Sequence, residues 1–356
     1  MLSFQLQELF VYPQRRWATD ISERWVSLCN GLREYEAPDR LLVFEAARKW
    51  ELVSAFQKSI RRADRVMALR LVSAMASMPE EYGHFWRRLC VIACEDVGPA
   101  DDVLTSFVVA CATVFLPKKI AGENYRIMCF LASQMCEPPN RSRIYCRYGA
   151  IESAALKSDL PELTLQDDAI VAAIMQQSGG IQVPENSWRE WQMKNDWRTD
   201  GLLKFVGLTL PLPMIQSDAP LPPSKVLFDL PSYCYDMHTR VGLNVLQRLV
   251  RGVAGAEGIK EFFQENRIKD AHRALGEMLF TVEGGRIKGE LLYEPLCSLE
   301  QRLYAHQFGL PFDKWTDLRI LMGKALDEGI VDRVREEVLM RYYGQEQLQL
   351  IAPDGD

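Results

Sequence analysis

No G-x-x-x-x-G-K-[ST] string occurs in the 356 residues, so the chain carries no glycine-rich loop of the kind that cradles phosphates in nucleotide-hydrolysing motors. It has no CxxC pair either: its nine cysteines are scattered. The closest two, Cys90 and Cys94, stand four apart on a predicted helix, a spacing that puts two thiolates on one face. No second Cys or His pair lies near enough in sequence to complete four metal ligands. These thiols therefore read as buried and reduced, and neither a metal nor a cofactor is expected. A signal peptide and an apolar run long enough to span a bilayer are also missing, which with the odd cysteine count points to a cytoplasmic chain away from membranes. Histidine is scarce, with four residues, of which His84, His272 and His306 sit in no motif. A strong excess of one charge is missing too. The net charge of -6 excludes a wholesale nucleic-acid coat protein but leaves room for a local basic face.

What is present is helical periodicity. Asp64 is placed to cap a helix whose Met67, Leu71, Met75 and Met78 form a one-sided apolar stripe closed by Pro79. Phe85, Leu89, Ile92 and Ala93 form the next stripe, which Gly98-Pro99 stops. Residues 102–116 and 122–136 give two more apolar helices, and Asn140 or Ser142 suits the cap of another near Arg143. Segments 164–178 and 187–205 follow the same period. Six prolines then fall between Leu208 and Pro231, a density that excludes helix and favours an extended connection. Beyond it, 237–254, 266–283, 296–308, 313–326 and 329–343 read as helices, although the apolar alternation around Gly284-Gly285 also suits a hairpin. The expected organisation is an N-terminal helical extension (1–49), a helical module (50–205), the proline-rich connection (206–231), a second helical module (232–350) and a short acidic tail (351–356).

Residues 50–101 carry a more specific string. Leu52, Ser54, Ala55, Lys58, Ser59, Arg61, Asp64, Ala68, Leu69, Met75, Arg87, Arg88, Leu89, Ala93, Glu95, Asp96, Gly98, Ala100 and Asp101 fall in order on a pattern of L-I-S-A-x-x-K-S-x-R-G-S-D, L-A-R-M, R-R-L and A-S-E-D-x-G-x-A-D. In this it resembles the start of the C-terminal helical region of the RarA/MgsA replication-associated AAA+ ATPases, relatives of the Werner-helicase-interacting protein. Arg62 and Ala63 replace the family's Gly and Ser. Extended to residue 155, the resemblance covers about a third of the chain. In the family this region builds the oligomer, in the manner of a clamp-loader collar, and a motor precedes it. Here 49 residues precede it, so the ATPase domain is expected to be absent, as in a reduced version carried by a phage or mobile element.

Three clusters are candidates for chemistry. Glu95 and Asp96 close a predicted helix, where the dipole disfavours carboxylates. A rule broken this way calls for cations nearby, and Arg61, Arg62, Arg87 and Arg88 are close in sequence. A structural ion network is the favoured reading, with at least one arginine in salt-bridge reach, and a metal or partner contact is the alternative. The string FDLPSYCYDMHTRVG brings Asp236, His238, Thr239 and Arg240 within five residues. Asp with His makes a general base and Arg holds a phosphate or carboxylate, whereas the plainer reading has Asp236 capping a helix that His238 and Arg240 anchor. Finally, Arg141, Arg143 and Arg147 interleave with Tyr145 and Tyr148, a mixture suited to single-stranded nucleic acid and equally to a protein interface. The resemblance tips it toward DNA. Trp188, Trp191 and Trp197 read as core or interface.

The fold expected is all-α, a multi-helix bundle resembling a clamp-loader collar with a second helical module. The function expected is that of a non-enzymatic, self-associating accessory protein of DNA replication, recombination or repair that binds replication proteins or single-stranded DNA. Two alternatives stand beside it: a hydrolase or nuclease using Asp236, His238 and Arg240, and an inhibitor or structural protein directed at a host assembly.

Overall fold

Among the described residues there are twelve α-helices and four very short strands, and the fold is all-α. The computed structural model describes residues 18–40, 49–115, 121–137, 141–144, 146–147, 215–217, 219–253 and 255–351. The helices expected at 164–178 and 187–205, the tryptophan stripe, Tyr145, Tyr148 and most of the acidic tail lie outside these residues. The described residues divide into two compact units that are discontinuous in sequence. The first comprises Met1–Val43, Ser59–Asp218 and Ile287–Cys297, and the second Phe44–Lys58, Ala219–Arg286 and Ser298–Asp356. Residues 44–58 and 287–297 each group with elements distant in sequence.

In the first unit, α1 (Ala18–Glu34), α3 (Arg65–Ala76), α4 (Tyr82–Ile92), α5 (Asp102–Phe115) and α6 (Ala121–Cys136) form the bundle. Helix α3 lies against α6, and both α1 and α4 lie against α5. Asp64 caps α3 as its sequence suggests, accepting a hydrogen bond from the Met67 amide at 3.0 Å. Met67, Leu71 and Met75 then repeat every fourth position on the buried face, with Phe107, Ile127, Leu131 and Met135 also in the core. Trp86 is buried with its indole N–H donated to Asn124 Oδ1 at 3.2 Å, the partner that a buried indole requires. Strand β1 (Ile215–Ser217) pairs antiparallel with β4 (Glu290–Leu292).

The second unit begins with α2 (Lys49–Arg61) up to Lys58. A tight hairpin of β2 (Val226–Leu227) and β3 (Leu230–Pro231) follows. Its corner residues, Phe228 and Asp229, both have positive φ, 48° and 67°, as a two-residue hairpin of right-handed twist demands. A single 3₁₀ turn (Ser232–Cys234) leads to α7 (Arg240–Val250), α8 (Glu257–Glu265), α9 (Ala271–Leu279), α10 (Glu294–Gln307, in this unit from Ser298 on), α11 (Phe312–Asp327) and α12 (Ile330–Ile351). Helix α7 packs on α9 and α12, and α11 packs on α8, α9 and α12. The hairpin alternative at Gly284-Gly285 is not adopted: α9 runs on into a π-helical turn, Phe280–Gly284. A matching π turn, Ala93–Val97, follows α4 in the first unit.

Candidate functional site

The π turn after α4 explains the misplaced carboxylates. Widening the helix there carries Asp96 into the interior, where Arg61 Nε donates to its Oδ1 at 2.6 Å. Both side chains are buried, so the ion pair expected at this corner exists. Arg61 is one partner, Arg87 is exposed, and Arg88 and Glu95 are half-buried. Asp101 works nearby, accepting from the Leu104 amide at 2.9 Å at the start of α5 and pairing with Arg24 at 3.0 Å.

The basic segment is corrected by the structure. Arg141, Arg143 and Arg147 are only 1%, 4% and 7% exposed, so they present no basic face to a nucleic acid. Arg141 donates from Nε to the Met135 carbonyl at 3.0 Å and from Nη2 to that of Cys136. Arg147 pairs with Glu290 at 2.6 Å, and Arg143 points Nη2 at Cys146 Sγ, 3.6 Å away. The backbone at Arg141 extends the small sheet, with the Leu291 amide donating to its carbonyl at 2.7 Å. These guanidinium groups are fasteners between helix ends and sheet. No described residues form a group of three or more His, Cys, Asp or Glu fit to hold a metal ion. Cys90 and Cys94 are buried, and that burial pushes the Cys90 thiol up to about 12 and Cys94 well above its ordinary value.

In the second unit the structure brings Asp236 and His238 together and adds residues that the sequence did not single out for this site. Lys58 Nζ lies 2.8 Å from Asp236 Oδ2, both side chains buried. Lys58 also donates to Ser54 Oγ at 2.5 Å, and Ser54 in turn donates to the Cys234 carbonyl at 2.8 Å. The other Asp236 oxygen accepts the His238 amide at 3.0 Å, and His238 Nδ1 lies 3.2 Å from both carboxylate oxygens. Burial by itself would raise the Asp236 pKa, but the Lys58 ammonium and the hydrogen bonds from His238 outweigh it and hold the carboxyl well below the usual range. Asp236 is therefore a fixed anion that orients His238, and it does not cap α7. Thr239 is the cap, accepting the Gly242 amide at 3.0 Å. Gly242 is required here, since a Cβ would sit 1.7 Å from the Asp236 carbonyl oxygen.

A second buried ion cluster fixes the same unit. Arg335 on α12 grips Glu283 of the π turn with two hydrogen bonds, at 2.9 and 2.5 Å, and reaches Asp332 at 2.9 Å and the Tyr235 carbonyl at 3.3 Å. Helix α2 mixes apolar positions with Lys49, Glu51, Gln57, Lys58 and Arg61, so its sequence does not mark Lys58 as buried. Nothing in sequence pointed to Asp236, 178 positions away, as its partner.

Above this framework lies a groove of ≈ 580 Å³ lined by Lys49, Trp50, Glu51, His238, Thr239, Arg240 and Leu243. Arg240 and His238 are exposed on its lining, while Asp236 is buried and does not line it. Comparison with family models, with curated proteins and with solved structures finds no match to this chain.

Proposed function

We propose that the chain is a non-enzymatic accessory protein of DNA replication, recombination or repair that works by associating with itself and with replication proteins. The supporting observation is the Arg61–Asp96 pair at 2.6 Å, which joins two residues of the string that resembles the RarA/MgsA helical region. Leu52, Ala55, Ala68, Met75, Leu89 and Ala93 of the same string are all buried. No described helix is long and apolar enough to cross a membrane, which fits a partner in aqueous surroundings.

Crosslinking in the cell of origin, with purification of the full chain under denaturing conditions, tests the role. Replication or repair proteins and further copies of the chain are expected among the products. A crosslinked set containing neither overturns the reading. A hydrolase remains the second reading because Asp236 orients the half-exposed His238 beside cations. It needs phosphodiester cleavage by the pure chain, lost in His238→Ala.

A further inference from the structure

We infer that the groove walled by Lys49, Trp50, His238, Arg240 and Leu243 binds single-stranded nucleic acid, one base lying on the Trp50 ring and its flanking phosphates on Lys49 and Arg240. The inference deepens the proposed role in DNA metabolism and rests on it for the choice of polymer. Trp50 is 55% exposed and Leu243 45%, so a flat aromatic surface and an apolar neighbour are left to solvent in one concavity. The ammonium of Lys49 sits 5.3 Å from the Trp50 ring centroid, which places a cation and a stacking surface together. Arg240 and His238 are exposed on the same lining.

Of the two carboxylates here, Glu51 is a lining residue with little exposure and Asp236 lies beneath. Asp236 is fully buried and held by Lys58, and Glu51 is buried in the wall. The groove thus offers cations and a π-face outward, complementary to an anion that carries a flat apolar ring. A nucleotide is such an anion, and ≈ 580 Å³ falls in the range of small-molecule sites. In a duplex the base faces are already stacked, so an unpaired strand is the form that satisfies both features. His238 is held by Asp236, and Arg240 opens a helix capped by Thr239. The nucleic-acid contact therefore moves from the buried arginines of 141–147 to this groove.

Fluorescence anisotropy of the full chain with a labelled 15-nucleotide oligothymidylate at low salt tests it. Binding is expected, weakening steeply as salt rises. Trp50→Ala and the double variant Lys49→Glu/Arg240→Glu should each weaken it roughly tenfold or more, as loss of a stacking platform or of phosphate contacts does. Trp50→Phe should keep most of the affinity, and Lys324→Glu, at an exposed position elsewhere on the unit, should match the parent. Unchanged thermal unfolding of these surface variants shows that the fold is intact. The proposal is overturned if the parent does not bind, if the groove variants bind as the parent does, if thymidine monophosphate binds as tightly as the oligomer, or if polyglutamate displaces the strand at equal charge concentration. Crosslinking to replication proteins can succeed with the groove inert, so the two failures are distinguishable.

Discussion

A carboxylate without water around it is tolerated only beside a cation, and among the described residues Asp96 with Arg61, Asp236 with Lys58, Glu283 with Arg335 and Glu290 with Arg147 meet that condition. Removing one member strands the other, which costs about 3–5 kcal/mol. Lys58→Met and Asp96→Ala should each lower stability by that order, read as denaturant midpoints at unchanged slope. Asp236 adds a pH signature. Its folded pKa is depressed, so its contribution is fully present above the unfolded value, about 3.9, and is lost as pH falls through the folded one. Asp236→Asn should therefore be less stable than the parent at neutral pH, with the gap narrowing below about pH 4. A constant gap from pH 7 to pH 2 would show that Asp236 is not held as an anion. Gly242→Ala should be at least as damaging as loss of Lys58, because the clash is with backbone that α7 cannot leave without losing its cap.

Helix ends decide how these residues meet. Thr239→Ala removes the side-chain acceptor for the Gly242 amide and should cost about 1 kcal/mol. Ala63, between α2 and α3, is held at φ 56°, a left-handed conformation that costs an L-residue about 1–2 kcal/mol. Glycine there should raise stability by about 0.5–1 kcal/mol, net of its freer unfolded chain, and a lower thermal midpoint would contradict the backbone assigned to that turn. The α3 helix was legible because its cap and its apolar stripe are local. The start of α7 was placed three residues early because Asp236 looks like a cap in sequence, and only Lys58 shows why its oxygens are engaged elsewhere. The stretch after Phe280 reads as a strand by alternation, yet Glu283 must reach Arg335, and a π turn supplies the displacement. Strand β4 falls within the stretch whose alternation suits a hairpin, but its partner β1 lies more than seventy positions earlier and no local pattern encodes that pairing. The buried arginines of 141–147 misled for the same reason: their acceptors are carbonyls and Glu290, which leave no mark near them in sequence.

Across the whole chain, cysteine gives the broadest test of the packing. Cys90, Cys94, Cys111, Cys129, Cys136 and Cys234 are buried, while Cys29, Cys146 and Cys297 are partly open. Burial acts twice on the first group. It blocks reagent access, and it raises the thiol pKa, to about 12 for Cys90, Cys129 and Cys136, so almost no reactive thiolate exists at neutral pH. Even half-buried Cys29 is raised by burial, with Arg33 opposing. The native chain, fully reduced and treated with an aromatic disulfide reagent at pH 8, should therefore release colour from at most three thiols. The other six should react only as fast as the fold opens, and their rate should follow denaturant through the unfolding transition. Because Cys234 stands beside the Lys58–Asp236 pair, Lys58→Met should speed its labelling more than that of Cys111, which lies in the other unit. Nine thiols reacting at one native rate would show that neither core is packed as described, and would remove the physical basis of the groove along with it.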